Sequence, residues 1–144
     1  MTIFEAIRKD HDKQRELCKL VTSTSGESKD RKLVWQQLKK ELHIHADVEE
    51  RTFYSPLIHN DMMQEHARHG IAEHHEMDEL IEKIDETDMD SPGWLVYAKQ
   101  LCEKVTHHLE DEEHSFFQLA GKVFTEKEKT DIAKDYQKQM EAKR

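Results

Sequence analysis

The chain has 144 residues, 37% of them charged, a net charge of −9 with histidine neutral, and only 4 Gly, 2 Pro and 2 Cys. That length suits one domain with a real core, and the scarcity of Gly and Pro favours long helices over sheets. The acidic balance argues against a nucleic-acid backbone or an anionic membrane as partner, two cysteines suggest neither a disulfide scaffold nor a thiolate metal site, and no run approaches the roughly 20 apolar residues of a membrane span. The opening MTIFEAIRKDHDKQ lacks the apolar run of a secretory leader, so a cytoplasmic location is the expectation. The unusual item is the count of 11 histidines.

Thr2 and Glu5 read as a capping box that opens a first helix, with Phe4, Ile7, His11, Gln14, Cys18 and Val21 along its inward stripe. The polar run from Thr22 to Gly26 ends it. A second helix starts near Asp30 and carries Val34, Leu38, Leu42, His45, Glu49 and Phe53 inward, until Pro56 ends or kinks it soon after Tyr54. A third begins around Asn60 and Asp61 and runs to about Thr87, with His74, Met77, Leu80, Ile81 and Ile84 on its apolar side. After a loop at 88–91, Ser91 caps a fourth helix with Pro92 in its first turn. This helix presents Leu101, Val105, His108, Glu112, Phe116 and Leu119, and Gly121 is expected to close it. Thr125 and Glu128 form a second capping box before a short charged C-terminal helix. The pattern predicts an all-α protein: an antiparallel up-down four-helix bundle over residues 1–122, with residues 123–144 as a C-terminal helix packed on it or extending from it.

The two halves repeat weakly. Moved forward by sixty-three positions, His11 falls on His74, Leu38 on Leu101, His45 on His108, Glu49 on Glu112, Glu50 on Glu113 and Phe53 on Phe116. Each half therefore supplies one histidine and, thirty-four residues later, a His-x-x-x-Glu pair whose members leave the same helix face. Alone, such a pair is more often a solvated surface pair. Occurring twice, in register with apolar stripes and with two further histidines at matched spacing, it points to a buried metal centre. Four imidazoles and two carboxylates without cysteine suit iron, manganese or zinc, and two ions sharing carboxylates suit iron best. The six candidate ligands are His11, His45, Glu49, His74, His108 and Glu112.

Each imidazole calls for an acceptor on its far nitrogen, for which Asp10, Glu73 and Glu76 are candidates. Glu50 and Glu113 point about 100° away from the ligand face and are expected to be solvated or to act behind the ligands. Tyr54, Phe53, Phe116 and Phe117 read as packing, or as the lining of a small-ligand pocket. Cys18 reads as a buried structural thiol. The other seven histidines are expected mostly at the surface. Without metal, two carboxylates buried among imidazoles are costly, so a looser metal-free bundle is expected.

At these residues the chain resembles the hemerythrin-like family, the HHE cation-binding domain. The opening TIFEAIRKDHDKQREL, then HADVEERTFYSPL, EHHEMDELI and HHLEDEEHSFFQLA, match that family's pattern in order from about residue 2 to 122. The resemblance implies a di-iron centre: two non-haem iron ions, oxo- or hydroxo-bridged, with those six residues as ligands and Glu49 and Glu112 bridging. In EHHEMDELI, His74 is preferred to His75 because Met77, Leu80 and Ile84 continue its stripe. Oxygen-carrying hemerythrins have a His-x-x-x-His pair in the third helix, whereas here the position four before His74 is Gly70, with His66, His69, Glu65 and Glu73 nearby as substitutes. They also use an aspartate in the fourth helix, where this chain has Glu112 one residue earlier. The four-histidine, two-glutamate set looks more like bacterial di-iron proteins linked to nitric oxide, peroxide and iron–sulfur repair.

The implied function is binding of dioxygen or a related small ligand, nitric oxide or peroxide, for sensing, storage or stress protection. A peroxide-decomposing or oxidase enzyme and a zinc-stabilised interaction module are the alternatives.

Overall fold

The computed structural model describes residues 1–144, all helices and connections without a strand. Helix α1 (Ile3–Thr22) opens on the reciprocal Thr2–Glu5 capping box. Helix α2 (Lys29–Glu49) starts at Ser28, whose hydroxyl accepts the Arg31 N–H, and runs without a break into a π-helical turn, Glu50–Tyr54. Helix α3 spans Gln64–Glu86. Helix α4 (Pro92–Asp111) passes through a second π-turn, Glu112–Phe116, into α5 (Phe117–Val123). Helix α6 (Glu126–Lys143) starts at the Thr125–Glu128 capping box and has 18 residues.

Two boundaries differ from expectation. Residues near Asn60 form turns instead of the first turn of α3: the Asn60 side chain accepts the Met62 and Met63 N–H groups, an alternative to helical bonding that Asn offers readily. Gly121 does not close the fourth helix. Helix α5 continues through it, and Phe124 turns the chain into extended conformation (φ −82, ψ 140). Only Gly26 among the glycines has a positive φ, 57°, in the α1–α2 turn.

The helices are registered by pairs that run in opposite directions along neighbours. Between α1 and α2, Lys13 meets Glu41 and Thr24 meets Arg31. Between α2 and α3, the Trp35 indole donates to Asp85 and Glu49 faces His74. Across α3 and α4, Glu73 accepts from His108 and Glu76 pairs with Lys104. Across α1 and α4, His11 reaches Glu113, while the Cys102 thiol lies against the Cys18 carbonyl. Helix α6 packs against α1 and α2, and its end is pinned by Arg144, which bonds both Asp10 and Glu41.

Two apolar clusters fill the interior. One, around Ile3, Ile7, Phe53, Tyr54, Phe116, Phe117 and Met140, lies at the π-turn end; the other, around Trp35, Leu38, Ile81, Trp94 and Leu101, fills the far end. The stripe predicted on α2 holds at Leu38, Leu42, His45 and Glu49, but Trp35 is buried where Val34 is only half-buried. Each π-turn adds a residue to the turn and so advances the following side chains by about one position. That is why Phe53 and Tyr54, and likewise Phe116 and Phe117, are buried as adjacent pairs.

Candidate metal centre

All six side chains singled out by spacing meet in one buried layer between the two apolar clusters. His11, His45, Glu49, His74, His108 and Glu112 are each at most 4% exposed. His75, the alternative to His74, points to solvent with its side chain 78% exposed.

The inward nitrogens and the carboxylates form a tight set. Glu49 places one oxygen 3.4 Å from His45 Nε2 and the other 3.2 Å from His74 Nε2. Glu112 places one oxygen 3.2 Å from His11 Nε2 and the other 3.5 Å from His108 Nε2. Each carboxylate therefore spans one imidazole from each half of the chain. The ligand atoms of His11, His45, Glu49 and Glu112 lie within 4.8 Å of one another, as do those of Glu49, His74 and His108.

The outward nitrogens are all engaged. His11 Nδ1 lies 2.6 Å from Glu113, His74 Nδ1 2.8 Å from Glu50, and His108 Nδ1 2.8 Å from Glu73. His45 Nδ1 lies 2.7 Å from the Tyr136 hydroxyl, which donates at 2.6 Å to Asp10. With Nδ1–H donating outward, each Nε2 keeps its lone pair for the interior. The repeat extends to these partners: Glu50 serves the histidine of the second half and Glu113 that of the first. Of the acceptors expected, Glu73 contacts its histidine directly, Asp10 acts through Tyr136, and Glu76 is instead paired with Lys104.

The donor set fits a cation. His11 Nε2, His45 Nε2, His108 Nε2, both oxygens of Glu49 and Oε1 of Glu112 are buried with no acceptable hydrogen-bond partner. Buried polar atoms are nearly always paired, so six orphans converging on one point mark a place built for something else. The acid–base balance agrees. Burial pushes Glu112 upward and the neighbouring Glu49 charge adds to it. Burial also opposes ionisation of Glu49, but His45 and the other groups around it outweigh that and hold it well below the usual carboxylate range. Burial disfavours charge on His11 and His74 too, yet the carboxylates beside them, Glu112 and Glu113 for His11 and Glu49 and Glu50 for His74, raise them to about 9 and about 10.

Two tyrosines that were not among the six candidates reach the cluster. Tyr54, read from the sequence as packing or as the lining of a small-ligand pocket, donates its hydroxyl to Glu112 and stacks on His74 with centroids 5.6 Å apart. It fills the space over Gly70, where a Cβ would lie 2.5 Å from the hydroxyl. Tyr136 sits on the charged C-terminal helix, whose composition carries no sign of an inward role. A narrow cleft bordered by His66, His69, Gly70, Glu73, Asp111 and Phe116 leads to His108 and Glu112, with about 20 Å³ of free space, enough for one water-sized molecule. A wider, open groove of about 670 Å³ lies elsewhere, between α1 and α4 around Cys18 and Cys102.

Fold and site together define an all-helical protein with a buried cluster of histidines and glutamates suited to cations. The family model of the Hemerythrin HHE cation binding domain matches residues 2–120, and the chain belongs to that family. Its fold is similar to the crystal structure of a hemerythrin HHE cation binding domain-containing protein, the Rv2633c homolog from Mycobacterium kansasii. The TM-score is 0.88 at 19% identity, over 99% of this chain and 87% of that one. No curated protein matches the chain.

Proposed function

We infer that this chain is a hemerythrin-like protein that holds two non-haem iron ions within an antiparallel up-down four-helix bundle and binds dioxygen, nitric oxide or peroxide for sensing, storage or stress protection. The observation that carries the reading is the double span of Glu49 and Glu112: each offers one oxygen to an imidazole of either half. His11 and His45 would serve one ion, His74 and His108 the other, and the two glutamates would bridge them. An iron pair held there would supply reversible electron transfer to a small oxidant. The protein's own part is to keep each Nε2 aimed inward through Glu113, Glu50, Glu73 and Tyr136, to keep bulk water out with the apolar clusters, and to limit entry to a molecule about the size of water.

Anaerobic loading with ferrous iron followed by metal analysis tests this reading. Two iron ions per chain, and an absorption band in the near ultraviolet on admitting air, are expected. Protein that takes up no iron overturns it. Glu49→Ala should lower the content towards one ion or none, because that carboxylate faces both halves; retention of two at full occupancy contradicts the bridging role.

Tyr54 favours a second reading, turnover of peroxide. Its hydroxyl stands beside Glu112 at the place over Gly70, and burial together with Glu112 keeps its proton on, with the phenol well above its ordinary value. Four imidazoles instead of five leave more room at the metals, and a phenol proton lies at hand. Steady-state oxygen release from hydrogen peroxide supports turnover; stoichiometric reversible binding excludes it. Metal analysis of protein purified without added metal separates both from a zinc-stabilised interaction module.

A further inference from the structure

The mouth of the narrow cleft carries a second group of residues able to ligate a metal, none of them among the six that face the centre. His69 and Glu73 stand one turn apart on α3, and Asp111 ends α4 opposite them. His69 Nε2 lies 3.5 Å from Glu73 Oε1 and 3.9 Å from Asp111 Oδ2, and one ligand atom from each residue falls within 4.8 Å of the others. Ligands bonded tetrahedrally at the usual zinc distances lie about 3.4 Å apart, so a small closing of exposed side chains brings the three onto one ion. The His69 and Asp111 side chains are 62% and 48% exposed, while that of Glu73 is 7% exposed.

We propose that His69, Glu73 and Asp111 form an outer capture site that takes a divalent cation from solution and passes it inward past Glu112. One imidazole with two carboxylates suits ferrous iron, manganese or zinc. A surface ion pair is the ordinary reading of such a trio, but two further observations set this one apart. The cleft beneath it is bordered by His108 and Glu112, two of the six side chains that meet in the buried layer. Glu73 also belongs to both ends, since the oxygen facing His69 outside is the one that accepts from His108 inside. The carboxylates stay available to a cation because Lys104, which acts on Glu73 from α4, is itself paired with Glu76. The two-metal reading supplies the destination of the ion, not the existence of the outer site.

Cobalt(II) titrated calorimetrically into the metal-free full chain, with anaerobic ferrous uptake followed by rapid mixing, tests the proposal. The wild type should show a weaker binding event beyond the tight ones. The double variant His69→Ala/Asp111→Asn, altered only at exposed positions, should lose that event, keep the tight ions and fill more slowly. A wild type with no weaker event, or a variant that keeps it and fills at the wild-type rate, overturns the proposal. Glu49→Ala provides the separation: it should lose tight ions and retain the weaker one. A wild type that binds only the ion removed by His69→Ala/Asp111→Asn would sink the two-metal reading and leave the outer site standing.

Discussion

The hydroxyl of Tyr54 lies 2.5 Å from the point where Gly70 would carry a Cβ. The two residues therefore define each other: a side chain at 70 is possible only if the phenol moves, and the phenol reaches Glu112 only because 70 is bare. Gly70→Ala should destabilise the metal-free protein by about 1–3 kcal/mol through overpacking, read by chemical denaturation. Paired with Tyr54→Ala, the two losses should be well short of additive, as expected for groups that share a contact. A Gly70→Ala protein as stable as the parent contradicts the close approach.

Tyr136→Phe removes one oxygen and strands two buried groups, His45 Nδ1–H and the Asp10 carboxylate oxygen. A cost of about 1–3 kcal/mol in folding stability is expected. Competition with a chelator should show metal held about 10–100-fold more weakly, the usual effect of losing a partner behind a ligand. If neither quantity changes, the hydroxyl plays no part in aiming His45.

Acid should act through Glu41. Burial alone would raise its pKa, but hydrogen bonds from Arg144 (2.9 and 3.0 Å) and Lys13 (3.0 Å) outweigh this and lower it below the ordinary 4.5. A carboxylate depressed in the folded state stabilises it above the unfolded-state value, and that stabilisation fades as pH falls through the lower folded value. The stability gap between wild type and Glu41→Gln should thus stay level between about pH 6 and 8 and narrow below about pH 4. A gap that widens in acid would reverse the assignment.

Metal removal should loosen the centre selectively. Bound cation at a hundred times its dissociation constant adds about 2.7 kcal/mol to folding stability, and the chelated protein should melt lower by a corresponding amount. Amide exchange should quicken most at the two π-turns, 50–54 and 112–116, the first directly after Glu49 and the second beginning at Glu112, both residues with orphaned oxygens. Uniform quickening along the whole chain would indicate a general loss of stability instead.

Helical content, the four long helices and the convergence of six side chains were legible in the sequence because periodicity reports which face is buried, and the same period placed the histidines on that face. The supporting partners were less legible. Glu50 and Glu113 leave their helix at a different angle from the glutamates before them, and each reaches a histidine of the opposite half, a relation that a helical wheel does not contain. Tyr54 became part of the site because a π-turn brought it inward beside Phe53. Tyr136 was invisible because α6 reads as a solvated helix, and only its packing on α1 and α2 gives the hydroxyl a task. The start of α3 was misplaced because Asn60 uses its side chain to satisfy the backbone of a turn.

Asp10 and Glu73 hold equivalent positions in the two halves, yet they differ by one methylene. Glu73 touches its imidazole directly, whereas Asp10 falls short and borrows the Tyr136 oxygen to cover the gap. One of the four rings consequently leans on a neutral phenol while the other three lean on carboxylates, making it the least electron-rich of the set. Two ions seated in this pocket would not be twins: the side served by His74 and His108 should fill first and release last, so that loading proceeds in a fixed order.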